Sequence, residues 1–260
     1  MSNYPYLNIN SLDSGFMWEK ALSDLRAGTP VLIFDFEGRE GETDMVIASQ
    51  FATPDVIRRM RKDAGGLICT TIREKEARVL GLPLMQESLG NAVAGLGDLF
   101  DQSDLKYDKS SSFSLTINSR NTFTGISDVD RSITAREFSG LIGDMDSDTR
   151  IRNRFQESFR SPGHVHLLIA REGYFSRRKG HTELSTYVME EAGLIPTATI
   201  VEMLSDSGKS MTRQEALDYA ERNSLTFIEG KAIIEQWTNG QGNGLGGIRS
   251  SSSGTSPFPA

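Results

Sequence analysis

An acidic segment at residues 35–44 carries the densest group of side chains that could do chemistry. Five of its ten residues are acidic, and in an extended chain Glu40, Glu42 and Asp44 project to the same side. Three such carboxylates repel one another at reduced dielectric, so the group needs a cation, protons or full solvation. Carboxylate oxygens suit Mg²⁺ or Mn²⁺. The segment predicts a divalent-metal site, with a solvated acidic loop as the alternative.

A basic segment at residues 177–183 contains His181, one of the three histidines of the chain. It leads into a predicted helix, for which Thr182 is a plausible N-cap. The amino end of a helix beside arginine and lysine is a ready phosphate site, and a neutral imidazole there can ligate a metal. The alternative is a solvated basic loop.

Two further positions are candidates for acid–base chemistry. Glu202 stands in the apolar strand predicted at 199–204, where burial of an unpaired charge would be costly. It is therefore a candidate acid or base, although an edge position facing solvent fits the pattern equally well. His164 and His166 point the same way if their predicted strand at 164–170 is regular, and a structural role is the simplest interpretation of both.

The elements that must position these residues alternate between strand and helix. The apolar run 31–34 predicts a strand buried on both faces, directly before the acidic segment. Further strands are predicted at 67–72, 112–118, 164–170, 199–204 and 225–228. Helices are predicted at 17–29, 53–64, 74–80, 183–192, 212–223 and 231–237, and capping-box spacing predicts another that starts at Thr134.

This order predicts an α+β fold, a three-layer α/β/α sandwich with a mixed, partly antiparallel twisted sheet. Residues 1–15 are predicted to be a flexible N-terminal arm, 16–238 a single catalytic domain, and 239–260 a disordered tail rich in glycine and serine. Residues 86–112 form a long, weakly patterned surface connection. The sequence leaves open whether that connection closes over the site.

Composition narrows the classes of partner. The formal net charge of −7 argues against broad binding of nucleic acid, but local cationic clusters can still hold a small anion. No apolar stretch approaches the roughly 20 residues that cross a bilayer, and no signal-peptide pattern opens the sequence, so a cytoplasmic location is the expectation. The single cysteine, Cys69, lies in an apolar run and predicts a buried structural thiol.

Four motifs, taken in order, resemble the signatures of the 3,4-dihydroxy-2-butanone 4-phosphate synthase family, and residues 61–69 with the long connection before Ser114 resemble its archaeal, monofunctional type. The four motifs are the acidic segment 35–44, residues 160–164, residues 180–183, and Glu202. The resemblance implies a C–C lyase of riboflavin biosynthesis. It would convert D-ribulose 5-phosphate to L-3,4-dihydroxy-2-butanone 4-phosphate and formate by enolisation, dehydration and skeletal rearrangement. It also implies Mg²⁺ or Mn²⁺, no organic cofactor, and a homodimer with the active site at the subunit interface.

The same resemblance implies roles for individual residues. The metal ligands would be Glu40 and His181. The substrate contacts would be Arg39, Glu40, Asp44, Arg178, Lys179, Gly180, His181 and Thr182. His164 and Glu202 would match positions that are essential to catalysis in the family. Asp44 and Glu42 are the further catalytic candidates, and which of them removes the first proton stays open.

Two other functions remain possible from the residues alone. A different metal-dependent enzyme acting on a phosphosugar, such as an isomerase or aldolase, would release no formate. A non-catalytic module that binds a phosphometabolite or RNA is the second alternative. The net charge of −7 disfavours it, and such a module would not need both the acidic cluster and His181.

Overall fold

A computed structural model describes residues 14–92, 97–108 and 110–243 of the chain. Seven strands form one sheet within these residues. They are β1 (Val31–Phe34), β2 (Thr43–Ala48), β3 (Cys69–Arg73), β4 (Phe113–Ser119), β5 (Phe159–Ala170), β6 (Ala198–Glu202) and β7 (Thr226–Glu229). The helices are α1 (Ser14–Arg26), α2 (Pro54–Arg59), α3 (Glu74–Leu80), α4 (Met85–Ala92), α5 (Asp128–Gly143), α6 (Ile151–Ser158), α7 (His181–Glu191), α8 (Arg213–Arg222) and α9 (Gly230–Asn243).

The sheet is mixed, with the spatial order β4-β5-β3-β6-β2-β1-β7. The pairs β3–β5 and β1–β7 are parallel, and the other neighbours are antiparallel. In the all-apolar β1, Val31 and Ile33 pack with α1, α7 and α9, whereas Leu32 and Phe34 pack with α2, α5 and α8. Helices therefore cover both faces, and the predicted three-layer α/β/α sandwich is confirmed.

The register of the inner strands brings acidic residues together. β2 and β6 run antiparallel with Asp44 directly opposite Glu202, so both side chains emerge on the same face. Cys69 pairs with Ile200 and opens β3 at the same end of the sheet. Residues at the start of β2, the end of β6 and the start of β3 consequently meet beneath the amino end of α7.

Local sequence signals explain several of the helix starts. The Thr53 side chain accepts a hydrogen bond from Val56 N, and Pro54 takes the first helical position, as predicted. A complete capping box between Thr212 and Glu215 opens α8, which confirms the second predicted box.

The first predicted capping box is wrong. Thr134 lies in the middle of α5, where its buried hydroxyl donates to the Asp130 carbonyl one turn earlier. The helix starts instead after Ser127, whose side chain accepts from Asp130 N. The box spacing misled because a threonine inside a helix can satisfy its hydroxyl on the backbone of the preceding turn.

Several boundaries also differ from the prediction. α6 was not predicted, and β5 begins at Phe159 rather than at 164 because residues 159 and 160 already pair with β4. The connection 86–112 contains most of α4 and a 3₁₀ turn at Gly97–Phe100. α1 begins at Ser14, inside the predicted arm, and α9 continues through residues 239–243 of the predicted tail. Residues 1–13 and 244–260 lie outside the described part of the chain.

No helix among the described residues is both long enough and apolar enough to cross a membrane. The buried free thiol predicted at Cys69 is confirmed, with 2% of the residue exposed.

Candidate active site

A single buried carboxylate, that of Asp35, organises the acidic loop between β1 and β2. Asp35 Oδ2 accepts hydrogen bonds from Arg39 Nη1 at 3.0 Å and from Glu40 N at 3.1 Å, and its Oδ1 accepts from Glu42 N at 3.0 Å. Gly41 supplies the positive φ of 68° that the loop needs between the two glutamates. The loop therefore has a fixed shape that presents Glu40 and Glu42 at the end of the sheet.

His181, at the first position of α7, meets the acidic loop. Its Nδ1 lies 3.5 Å from Glu40 Oε2 and 3.7 Å from Asp44 Oδ1, and only 6% of the residue is exposed. One ligand atom each from Asp35, Glu40 and His181 lie within 4.8 Å of one another. Among the described residues, Asp44 Oδ1 and His181 Nε2 are buried without a hydrogen-bond partner. This donor set fits a divalent cation.

Burial and neighbouring charges shift the pKa values of the three groups closest to this donor set. Burial raises the pKa of Asp44 to about 8, and the Glu202, Glu40 and Glu42 carboxylates add to that rise against the opposing effect of His181. Burial alone would lower the pKa of His181, but Asp44, Glu40 and Asp35 raise it to about 9. Burial would raise the pKa of Glu40, yet the hydrogen bond with His181 and the charge of Arg39 lower it to about 2. Near neutral pH the Asp44 carboxyl and the His181 imidazole therefore favour their protonated forms, and a cation that binds here would displace those protons.

The acidic half of the site, formed by Asp35, Glu40, Asp44 and His181, adjoins a basic half formed by Arg39, Arg178 and the amino end of α7. The guanidinium groups of Arg39 and Arg178 converge on Gly180, where a Cβ atom would lie 2.1 Å from Arg178 Nη1 and 2.7 Å from Arg39 Nη2. Any larger residue would displace these guanidinium groups, and Gly180 serves as the N-cap of α7. No described side chain caps that helix end, which leaves first-turn N–H groups available to an anion. The predicted N-cap role of Thr182 is wrong, since this residue lies inside the first turn.

Buried Glu183 fixes the orientation of the basic loop. Its Oε2 accepts from Arg178 Nη1 at 2.8 Å, and its Oε1 accepts from Arg171 N at 3.1 Å. Arg178 is thereby held at the amino end of α7 with its Nη2 directed away from Glu183, toward the opposite wall of the cleft.

The two halves line one cleft of about 150 Å³. Its floor carries Asp44, Cys69 and Glu202. Its outer wall is formed by Leu105, Tyr107, Asp108, Ser111 and Ser112. Burial, followed by the charges of Glu202 and Asp44, raises the pKa of the Cys69 thiol, so this residue is a neutral part of the floor. Part of the predicted surface connection thus covers the site.

Glu202 lies inside the sheet rather than at its edge. β6 runs between β3 and β2, and Glu202 Oε2 accepts from Leu67 N at 2.8 Å. Gly66 is required beside it, because a Cβ there would lie 2.5 Å from the same oxygen. The carboxylate is therefore fixed beside Asp44, and the edge-facing interpretation is wrong.

Four of the predicted site residues do not line this cleft within a single chain: Arg39 and Gly180, which adjoin the cleft residue Arg178, and the exposed His164 and Lys179. His164 is exposed, and it is held by Asn118: its backbone N–H donates to Asn118 Oδ1 at 2.8 Å and its Nδ1 lies 3.1 Å from Asn118 Nδ2. Lys179 is also exposed and does not line the cleft. The remaining predicted residues come together as described.

The sequence profile of 3,4-dihydroxy-2-butanone 4-phosphate synthase matches residues 19–236. The chain belongs to the 3,4-dihydroxy-2-butanone 4-phosphate synthase family. The synthase of Archaeoglobus fulgidus is 43% identical over 224 residues, which cover 85% of this chain and 93% of that protein. The synthase of Methanothermobacter thermautotrophicus is also 43% identical, over 85% of this chain and 96% of the relative. The family makes 3,4-dihydroxy-2-butanone 4-phosphate in riboflavin biosynthesis.

Solved structures of synthases share the fold. The two-domain synthase RibBX of A. baumannii is 28% identical with a TM-score of 0.67, and the match covers 84% of this chain and 56% of that protein. A synthase solved in complex with two magnesium ions is 24% identical with a TM-score of 0.69, over 86% of this chain and 97% of that one. The fold of the family is therefore that of this chain across most of its length.

Sequence reasoning missed three residues that shape this synthase site. Asp35 was part of the acidic segment, and its position directly after a buried strand could have indicated an organising role. Glu183 resembled an ordinary acid of a first helical turn. Asp108, whose carboxylate contacts both Arg39 and Arg178, lies in the weakly patterned connection, where no sequence signal marked it.

Proposed function

We propose that this chain converts D-ribulose 5-phosphate to L-3,4-dihydroxy-2-butanone 4-phosphate and formate. One observation carries the proposal: the acidic donor set and the guanidinium pair meet at consecutive residues, Gly180 and His181. A phosphorylated ketose has chelating oxygens at one end and a phosphate dianion at the other, so it matches that division. Membership of the synthase family supports this substrate over other phosphosugars.

The metal ligands in this proposal are Glu40 and His181, with Asp35 adjacent. Mg²⁺ is the proposed ion and Mn²⁺ the alternative, because the donors are mainly hard oxygens. When bound, a divalent ion draws electron density from neighbouring ketone and hydroxyl oxygens and makes the C–H between them more acidic. Glu40 is suited to its role because its lowered pKa keeps it ionised. No organic cofactor is needed for this chemistry.

Asp44 is the favoured base for the first proton transfer. Its Oδ1 has no hydrogen-bond partner among the described residues, and its pKa of about 8 allows it to hold and release a proton near neutrality. Glu42, the other candidate, already accepts a hydrogen bond from the Ser210 hydroxyl. Glu202 lies beside Asp44 and is the proposed partner for later proton transfers, which dehydration and loss of formate both require.

Phosphate binding is assigned to the basic half of the cleft. Arg178 and Arg39 supply charge, and Gly180 and Thr182 lie at the amino end of α7. Lys179, which is exposed, would add to the local positive field and contact only the outer part of the substrate. The carbon skeleton would then lie between this anchor and the Glu40–His181 pair.

We propose a homodimer whose sites combine residues of both subunits. A loop and helix start near Asn118 expose Phe123 at 93%, Ile126 at 52% and Val129 at 53%. Large exposed apolar side chains of this kind mark contact surfaces. Asn118 also holds His164, so this histidine sits at the proposed contact surface and could complete the cleft of the other subunit.

The direct test is to incubate the purified chain with D-ribulose 5-phosphate and Mg²⁺ and to measure formate. The proposal predicts formate in a one-to-one ratio with the four-carbon phosphate. Isomerisation or aldol cleavage would consume substrate without formate, and a binding module would consume none. A cytoplasmic location is proposed as well, because charged sugar phosphates do not cross membranes freely; cell fractionation would test it.

A further inference from the structure

Asp108 lies in the outer wall of the cleft and bridges Arg39 and Arg178, the two arginines of the basic half. Its Oδ2 pairs with Arg178 Nη2 at 2.7 Å and also accepts from Arg39 Nη2. The Asp108 side chain is 9% exposed, so the contact is largely shielded from solvent. Such charge-assisted pairs are the strong ones in proteins.

We propose that Asp108 is a built-in competitor of the phosphate group, occupying the guanidinium pair until substrate displaces it. The inference deepens the proposed function and rests on it for the identity of the ligand. Asp35, Glu40 and Glu183 each pair with one of these arginines from the acidic loop or from α7. Among the described residues, Asp108 alone pairs with both arginines. An anionic ligand that bound both guanidinium groups would take the same position.

A phosphate would satisfy this site better than the aspartate does. Both guanidinium contacts use the same Asp108 oxygen, whereas a phosphate offers three terminal oxygens. Arg39 Nε and Arg178 Nε are buried without a hydrogen-bond partner among the described residues. Each guanidinium group thus has an N–H that Asp108 leaves unsatisfied.

The segment that carries Asp108 is tied to the cleft mainly by side chains. Within the described residues, no backbone hydrogen bond joins 106–108 to the sheet or to α7. The Tyr107 ring lies against Arg39, 5.3 Å from its Cζ, as a second side-chain contact. If the Asp108 ion pairs were lost, residues 106–108 could therefore move away from the cleft while every strand and helix stayed intact.

Displacement of the wall would join the site to a wider basic cleft. Residues Leu105, Tyr107, Asp108 and Arg178 line both the inner cleft and an outer one of about 1000 Å³. The outer cleft also carries the carboxylates of Glu74 and Glu172, but these are outnumbered by the cations Arg78, Lys106, Arg171 and Arg177. The positive charges of the outer cleft would attract a phosphorylated substrate toward the two arginines from which it displaces Asp108.

The test compares binding of inorganic phosphate by isothermal titration calorimetry in three proteins: the full chain, Asp108→Asn and Asp104→Asn. Asp104 is exposed in the same segment, so its variant is a control for the change in charge. We expect Asp108→Asn to bind phosphate about tenfold more tightly than the wild-type chain. Asp104→Asn should change the Kd for phosphate by less than about twofold, because salt screens the charge of an exposed side chain. Asp108→Ala should act in the same direction as Asp108→Asn, and thermal unfolding would verify that both variants fold.

Unchanged or weaker phosphate binding by both Asp108 variants would overturn the proposal, since Asp108 would then be neutral or would position the arginines for phosphate. The KM for D-ribulose 5-phosphate should fall with the phosphate Kd. Failure of the proposed function has a different signature. The wild-type chain would release no formate from ribulose 5-phosphate, whatever the three phosphate affinities are.

Discussion

The affinity of the site for a divalent ion should rise steeply with pH, because His181 must lose a proton before it can coordinate. Its pKa of about 9 lies two units above pH 7, so only about one imidazole in 100 is neutral there. The apparent Kd at pH 7 should therefore be about 100-fold weaker than well above pH 9. Glu40, with a pKa of about 2, is ionised throughout and adds no pH dependence.

The number of protons released when the metal binds shows whether His181 alone must lose a proton or whether Asp44 must lose one as well. If Asp44, with its pKa of about 8, must also ionise, binding at pH 7 releases close to two protons instead of one. Between pH 7 and 8 the Kd should then improve by more than the tenfold that a single proton supplies. Asp44 thus affects affinity even if it only faces the ion and does not touch it.

Isothermal titration calorimetry of the metal-free chain with Mn²⁺, in buffers of different ionisation enthalpy, measures the apparent Kd and the number of protons released. The His181→Asn variant is the control, because it should lose the proton release that belongs to the imidazole. A Kd that changes less than about twofold between pH 6.5 and 8.5, without proton release, would refute the reasoning, since an ionisable ligand requires linkage.

Three further predictions concern individual residues. Glu40→Gln and His181→Asn should each lower kcat/KM for ribulose 5-phosphate on the order of 1000-fold in the formate assay, because each removes a proposed metal ligand. Mixing inactive His164→Ala and His181→Ala proteins, after dissociation and reassociation, should restore about a quarter of the wild-type activity if each site uses both subunits. Gly180→Ala should weaken inorganic phosphate binding about tenfold by calorimetry, because its Cβ would lie 2.1 Å from Arg178 Nη1.

Each of these has a control and a contradicting result. Glu37 is exposed in the same acidic loop, so Glu37→Gln should keep near-normal turnover; equal loss in that variant would mean that loop charge alone matters. Absence of any recovered activity in the mixed dimer would contradict the shared site. Gly140→Ala, at an open position of α5, controls for glycine replacement, and normal phosphate binding by Gly180→Ala would refute the role of the close approach.

Sequence predicted the fold well, and it located the acidic segment directly after a buried strand, for a physical reason. β1 is apolar at every position because both of its faces are covered, and the acidic residues follow directly at its end. Periodicity and charge within one segment carry such information. The capping signals at Thr53 and Thr212 also depend only on neighbours in the chain, and both were confirmed.

The rest of the site depends on contacts between distant segments. The pairing of Asp44 with Glu202 requires the β2–β6 register, which no local pattern specifies. Asp108 reaches Arg39 across 69 positions from a connection without periodicity. The N-cap at Gly180 was also missed, because this helix end has no capping side chain among the described residues that could mark it in the sequence.

The central claim is that Glu40 and His181 bind the same ion. Pulsed electron paramagnetic resonance of Mn²⁺ bound to the full chain reports directly on nitrogen ligands. The account predicts a ¹⁴N coupling from one imidazole that disappears in His181→Asn, and Mn²⁺ affinity that falls sharply in Glu40→Gln while Glu37→Gln retains both. A nitrogen coupling that persists in His181→Asn, or Mn²⁺ bound equally well without Glu40, would contradict it.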